Sequence, residues 1–203
     1  IWVPDFPKEK NSLSLKLGHI PYHKKIHFIG PQSRFKNSPS AKVKDIDLCI
    51  VLSGPEPQRS KLETLLLPLL KENLTIVLIR GLPENSAKII NIGKSRIYNH
   101  LKSQELAQTL GRSQRVLCRG GYTTLMDLYF LNMPALLIPT PGQTEQEYLA
   151  QNLDGQSGFK SFVQSSSSLL MDIKKALHQR ESYNVMHQDF TFPSLSHKVA
   201  NLL

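Results

Sequence analysis

No stretch of this chain comes near the roughly 18 consecutive apolar residues that a membrane-spanning helix needs, so a transmembrane helix is excluded. No secretory leader is expected either: the chain opens Ile1-Trp2-Val3-Pro4-Asp5, with no basic start and no long apolar segment. It also lacks an initiator methionine, and we expect it to be a piece of a longer protein. There are only two cysteines, Cys49 and Cys118, both inside apolar runs. They read as small buried hydrophobes in a reducing, cytoplasmic compartment rather than as a disulfide. No Cys/His group has metal-ligand spacing, so no metal site is expected. An aromatic-rich RNA-reading signature, zinc-finger spacing and internal repeats are all absent. What the chain has in excess is positive charge, 25 basic against 16 acidic residues for a net +9. That balance favours anionic partners: nucleic acid, a negative membrane face or phosphorylated small molecules. The charge is dispersed, in pairs such as Lys24-Lys25 and Lys174-Lys175, as on an ordinary solvated surface.

The first forty residues differ from the rest, being rich in Pro, His, Lys and Ser. We expect residues 1–40 to be the tail of a preceding domain plus a linker, and residues 41–203 to form the main domain. There the pattern alternates. Apolar runs ending in turn residues ("DIDLCIVLSG", "LTIVLIRG", "RVLCRGG", "PALLIPTPG", with weaker "SRIYNHL" and "GFKSFV") read as strands buried on both faces. Between them stand helical segments, among them "PEPQRSKLETLLLPLLKEN", which Pro68 should end or kink, and "SQELAQTLGR", with Ser103 as its N-cap. "LLMDIKKALHQR" is amphipathic, and "FPSLSHKVANLL" is expected to be a last short helix. The fold class is therefore α/β: a Rossmann-like open parallel sheet with helices on both faces.

In such sheets ligands bind outside the carboxyl ends of the strands. One rim should then carry Ser53-Gly54, Arg80-Gly81, Arg119-Gly120-Gly121 and the turn from Pro139 to Gln143. The 119–121 loop meets a helix start at Tyr122 and Thr123. Glycines admit a ligand close to the backbone, and a helix N-terminus aims N–H groups and partial positive charge at it. Arg119 could add a guanidinium for phosphate. Alternatively, the Gly-Gly pair only reverses the chain, with Thr124 and Asp127 forming a capping box. The loop at 53–59, "SGPEPQR", is neither a Walker A sequence nor GxGxxG; Ser53 offers a hydroxyl to a phosphate or simply satisfies a turn. In "PTPGQTEQEYLAQN", Thr144 and Glu147 read as a second capping box. Gln143, Glu145 and Gln146 are suited to sugar hydroxyls, or else form an exposed polar first turn.

The block from Cys118 to Asn152, "CRGGYTTLMDLYFLNMPALLIPTPGQTEQEYLAQN", resembles the donor-binding half of GT-B glycosyltransferases. It is most similar to the family 28 C-terminal-like group, related to the bacterial N-acetylglucosaminyltransferase of lipid-linked peptidoglycan precursors. The family's glycine before the second strand is replaced by Asn132-Met133. The opening "WVPDFPKEKNSLSLKLGHIPYHKKIHFIGPQSRF" also resembles the end of the N-terminal domain and the linker of that group. The resemblance implies that Asp127, one methylene shorter than the usual glutamate, holds the ribose hydroxyls. Gly120, Gly121, Tyr122 and Thr123 would border the diphosphate, and Gln143, Glu145 and Gln146 the donor sugar. Ser53, Gly54 and Arg80 would face the nucleotide. It implies a nucleotide-sugar donor, UDP-linked, no cofactor and no metal, with helix dipoles and basic side chains stabilising the leaving diphosphate. The acceptor would be bound mainly by an N-terminal domain, with peripheral contact at the inner face of the membrane. The catalytic residues are left unassigned: His19 is one of seven histidines, and the base in this fold usually comes from the other domain. A basic nucleic-acid or anionic-surface module and a UDP-sugar epimerase are the competing readings.

Overall fold

The computed structural model describes residues 1–7, 12–18, 26–36, 43–83, 89–156 and 158–179. His19 and the helix expected at the C-terminus lie outside the described residues. Nine strands are described: β1 (Trp2–Val3), β2 (His27–Phe28), β3 (Ile46–Val51), β4 (Ile76–Ile79), β5 (Ile90–Ile92), β6 (Ser95–Tyr98), β7 (Ser113–Cys118), β8 (Ala135–Leu137) and β9 (Phe159–Ser161). The α-helices are α1 (Gln58–Leu66), α2 (Ser103–Gly111), α3 (Tyr122–Leu131), α4 (Thr144–Leu153) and α5 (Leu169–His178).

Strands β3 to β9 form one sheet in the order β5-β6-β4-β3-β7-β8-β9, parallel except for the β5–β6 pair. The sheet is Rossmann-like, as its apolar runs predict. Every residue of β4 and β8 is buried, because helices cover both faces. Cys49, Val77, Val116, Cys118, Leu125 and Leu149 belong to one layer of core; Leu48, Ile50, Leu62, Leu78, Leu117 and Ile173 belong to the other. The alternation along β3 and β7 thus feeds two cores from one strand. Both cysteines are buried and free, as expected.

The chain runs from β3 outward to β4 and then returns across β3 to β7, so the order reverses between β3 and β7. Ligands of doubly wound sheets sit outside the strand ends at such a reversal. The loops after β3 and β7 are therefore the centre of the rim. Pro68 acts as predicted: α1 stops at Leu66 and continues as a 3₁₀ turn, Leu67–Lys71.

Three local expectations are corrected. Helix α2 is entered from Lys102 rather than capped by Ser103, and the Lys102 N–H donates to Glu105 at 3.1 Å. Helix α3 begins at Tyr122 with Gly121 in the N-cap position, three residues before the start a Thr124–Asp127 box requires. Helix α4 begins at Thr144 with Gln143 before it, so Thr144 is the first helical residue and not a cap. In α3 the glycine pair leaves nothing to delay the helix, and in α4 the proline-framed turn already sets the entry angle.

Described residues of the upstream segment pack against this domain. β1 and β2 form a separate parallel pair. Phe6 and Leu13 pack on Met126 of α3, and Phe6 meets Tyr129 edge-on at 5.5 Å. Phe35 enters the main core.

Candidate functional site

The topology brings the ends of β4, β3, β7 and β8 side by side, and with them all the loops singled out in the sequence. Their side chains divide into two groups, one facing solvent and one building the rim.

Ser53 and Gly54, just past β3, are exposed. Gly54 has φ +97°, a conformation that favours glycine. A Cβ there would lie 3.7 Å from Oγ1 of Thr140, a buried hydroxyl with no hydrogen-bond partner. After β7, Gly120 is buried, and a Cβ on it would come within 3.4 Å of the Gln146 carbonyl oxygen. Gly121 is different: nothing lies within 4 Å of its Cβ position. Helix α3 starts at the next residue with no side-chain cap, and its first backbone bond runs from Leu125 N–H to the Gly121 carbonyl. The N–H groups of Tyr122, Thr123 and Thr124 precede that ladder and carry the positive end of the dipole. Thr123 is exposed beside them. Helix α4, also without a side-chain cap, repeats the arrangement one strand over.

The remaining expected site residues hold the rim together. Arg119 is 2% exposed, and burial pulls its guanidinium down to about 10, which leaves it protonated at neutral pH. Nη1 donates to the Ile138 and Pro139 carbonyls and the Gln164 side-chain oxygen, at 3.0, 3.1 and 2.7 Å; Nη2 donates to the Gln58 carbonyl at 3.0 Å. One side chain therefore ties the loops after β7, β8 and β9 to the start of α1. Its planar fork is engaged by three backbone carbonyls and the Gln164 side chain beneath the rim.

Arg80 is half-buried, with Nε 2.7 Å from Glu63 of α1 and Nη1 3.4 Å from Asn99 Oδ1. Arg59, which the sequence reading did not single out, extends this network. It bonds Glu56 at 2.6 Å, Glu63 at 2.9 Å and the Arg80 carbonyl at 3.2 Å. Its signals were an i, i+3 spacing from Glu56 and an i, i+4 spacing to Glu63. Arg80 therefore braces α1 through Glu63. Gln146 accepts from Thr140 N–H at 2.9 Å and donates to Gln143 Oε1, while Glu147 accepts from Gly142 N–H at 2.9 Å. Those three side chains fix the turn after β8. Glu145 and Thr144 are exposed and unbonded among the described residues.

Asp127 lies in the second turn of α3, buried, with Ser33 Oγ donating to Oδ1 at 2.5 Å and Arg34 Nε 3.5 Å from Oδ2. Neither partner was picked out in the sequence, because both come from far upstream. Tyr122 donates its hydroxyl to the Pro4 carbonyl at 2.8 Å; burial, then the charge of Asp5, push its phenol pKa up. Asp5 itself is buried and accepts from the N–H groups of Phe6, Leu13 and Ser14, at 2.7, 2.9 and 3.1 Å, and from the hydroxyls of Ser12 and Ser14, both at 2.5 Å. Among the described residues no group of three His, Cys, Asp or Glu could hold a metal ion.

With this geometry in place, the likeness to known proteins can be stated. The profile of the glycosyltransferase family 28 C-terminal domain matches residues 58–199. The chain belongs to this family. The match takes in the rim from α1 through the turn after β8 and both uncapped helix starts. No curated protein matches the chain. Among solved structures, the MurG protein of Acinetobacter baumannii superposes with a TM-score of 0.58 at 16% identity. That match covers 91% of this chain and 57% of the other. The glycotransferase of kitacinnamycin gives 0.53 at 15% identity, over 77% of this chain and 42% of that one. At such identities the superpositions establish the fold, that of the C-terminal half of a GT-B glycosyltransferase. The chain spans about half the length of these structures.

Proposed function

We propose that this family 28 domain seats the nucleotide-sugar donor of an inverting glycosyltransferase, with a UDP-linked hexose or N-acetylhexosamine as donor. The observation that carries the reading is the pair of uncapped N-termini of α3 and α4, set beside exposed Ser53-Gly54 where the strand order reverses. Free N–H groups, helix dipoles and an open Gly121 suit a diphosphate. Arg119 and Arg80 are committed to the scaffold, so the helix N-termini rather than arginines would stabilise the leaving diphosphate. Asp127 retains lone pairs beyond those used by Ser33 and Arg34, and these would take ribose hydroxyls.

In this reading residues 41–203 form the donor domain, and residues 1–40 are the tail of an N-terminal domain plus a linker. That other domain would bind most of the acceptor and supply the base, so this chain alone would bind donor without transferring it. No metal or cofactor takes part. The reading places the protein in the cytoplasm, in peripheral contact with the inner face of the membrane. Calorimetric titration with UDP, UDP-sugars and a random DNA duplex tests the reading. Saturable binding of UDP and UDP-sugars supports it. A folded chain that ignores both at millimolar concentration, or binds DNA with steep salt dependence instead, would falsify it.

A further inference from the structure

Thr140 Oγ1 is the one buried side-chain hydroxyl without a hydrogen-bond partner among the described residues. The residue is 2% exposed. Burying an unbonded hydroxyl is unfavourable, and folded chains rarely do so without a use for it. The local sequence explains why the group is left over. Thr140 stands between Pro139 and Pro141 in the turn after β8. Its N–H donates to Gln146 Oε1 at 2.9 Å, and its carbonyl accepts from Gln143 N–H at 3.0 Å. The prolines have no N–H and restrict the backbone on either side. The residue is thus held in one place, with its hydroxyl as the last unused donor of the three.

That hydroxyl faces Gly54. A Cβ on Gly54 would lie 3.7 Å from Thr140 Oγ1, and beyond the chain neighbours of Gly54 no other described heavy atom comes within 4 Å of that position. Gly54 is exposed, and its φ of +97° disfavours any side chain there. A place for a ligand atom is therefore open between an exposed glycine and an unbonded hydroxyl. Strands β3 and β8 flank β7 in the sheet. Gly54 and Thr140 thus meet across the end of the strand that leads into Gly120, Gly121 and the uncapped start of α3.

We infer that Thr140 is a binding residue for an anionic phosphate oxygen: its hydroxyl, idle in the free chain, donates to an oxygen seated beside Gly54. Such an oxygen supplies the missing acceptor and brings negative charge to the positive end of α3. The inference rests on the nucleotide reading above and adds to it a residue that neither the glycine pattern of the rim nor the family resemblance assigns. Its consequence is an opposition between stability and binding. Valine keeps the branched shape of threonine and removes the orphaned group, so the free chain loses nothing and the bound chain loses a hydrogen bond.

The intact chain and its Thr140→Val and Thr140→Ser variants are compared by urea denaturation and by calorimetric titration with UDP and with uridine. Thr140→Val is expected to hold or raise the urea midpoint while its UDP affinity falls about tenfold, the loss of one hydrogen bond to a charged group. Thr140→Ser keeps the hydroxyl and is expected to bind UDP as the wild type does. Uridine, which carries no phosphate, should not distinguish the wild type from Thr140→Val. Equal fold-losses for uridine and UDP would move the hydroxyl to the nucleoside and overturn the inference. A lower urea midpoint in Thr140→Val, whatever its UDP affinity, would show a hydroxyl bonded within the fold, directly or through water, and would overturn it too. Equal UDP binding by the wild type and Thr140→Val strikes the inference alone and leaves the nucleotide site standing. A wild type that does not bind UDP removes the nucleotide reading and the inference together.

Discussion

Ser33 donates its hydroxyl to Asp127 across 2.5 Å, joining the segment before the main sheet to the second turn of α3. The acid that the family resemblance assigns to ribose is thereby held by a residue ninety-four positions upstream. Together with Arg34, 3.5 Å from the other carboxylate oxygen, Ser33 fixes the carboxylate while leaving lone pairs unused.

Asp127→Ala removes those contacts and the proposed ribose ligand together. Half of the pair with Arg34 is exposed, so the stability lost should be about 1 kcal/mol. Affinity for UDP should fall roughly tenfold or more, equivalent to about 1.4 kcal/mol. Urea denaturation and calorimetry on the same preparation measure both. A large loss of stability with unchanged affinity would make Asp127 a tether for the upstream segment and nothing more.

Arg119 is expected to behave in the opposite way. Replacing it with Met strands the carbonyls of Gln58, Ile138 and Pro139 in a buried place. Buried groups left without partners cost about 1–3 kcal/mol each, and we expect a total of about 3–5 kcal/mol. Arg119→Lys should recover part of it, because an ammonium cannot span both sides of the cluster as a guanidinium does. A phosphate ligand would show the reverse pattern: UDP affinity lost and the urea midpoint hardly moved.

The two cysteines give a prediction in pH. Burial pushes both thiols from an ordinary 9.0 up to about 12. The unfolded chain therefore releases these protons at lower pH than the folded one. The contribution to stability is complete below about pH 9 and is lost as the pH rises toward 12. Iodoacetamide at pH 8 should label neither cysteine in the folded chain and both in urea. Rapid labelling of the native chain would show that one of them is reachable.

Much of this fold was readable in the sequence. Runs such as "LCIV" and "IVLI" are apolar at every position, as a strand covered on both faces requires, and the weaker runs "SRIYNHL" and "GFKSFV" bring to six the strands of the main sheet that were read from the sequence. Strand β5 was missed because Ile90–Ile92 is a three-residue antiparallel edge with only intermediate burial and no apolar run. The parallel β1–β2 pair escaped because each of its strands is only two residues long. Three of the four rim loops were legible from glycine after an apolar run, and the fourth from its framing prolines. What could not be read was where the polar side chains point. Arg119 follows a buried strand and precedes two glycines, a pattern equally compatible with a phosphate ligand and a buried clamp. Its partners are set by the turns after β8 and β9, far along the chain. The capping boxes failed because a Thr-x-x-acid spacing does not tell where a helix begins when glycine or a proline-framed turn allows an earlier start.

Gly121 offers the most direct test of the nucleotide site. Its φ of −72° suits alanine, and a Cβ would meet nothing within 4 Å, so Gly121→Ala should melt within a degree or two of wild type. The same methyl group would stand where a diphosphate approaches the N-terminus of α3. Gly81→Ala is the control for the scaffold. There φ is +72° and a Cβ would lie 2.5 Å from the Leu52 carbonyl oxygen, so stability should fall. The deciding measurement is calorimetric titration of UDP into wild-type and Gly121→Ala chains. The account predicts saturable binding to the wild type and at least about tenfold weaker binding to the folded variant. Equal affinity in the two would contradict a donor diphosphate at this helix start.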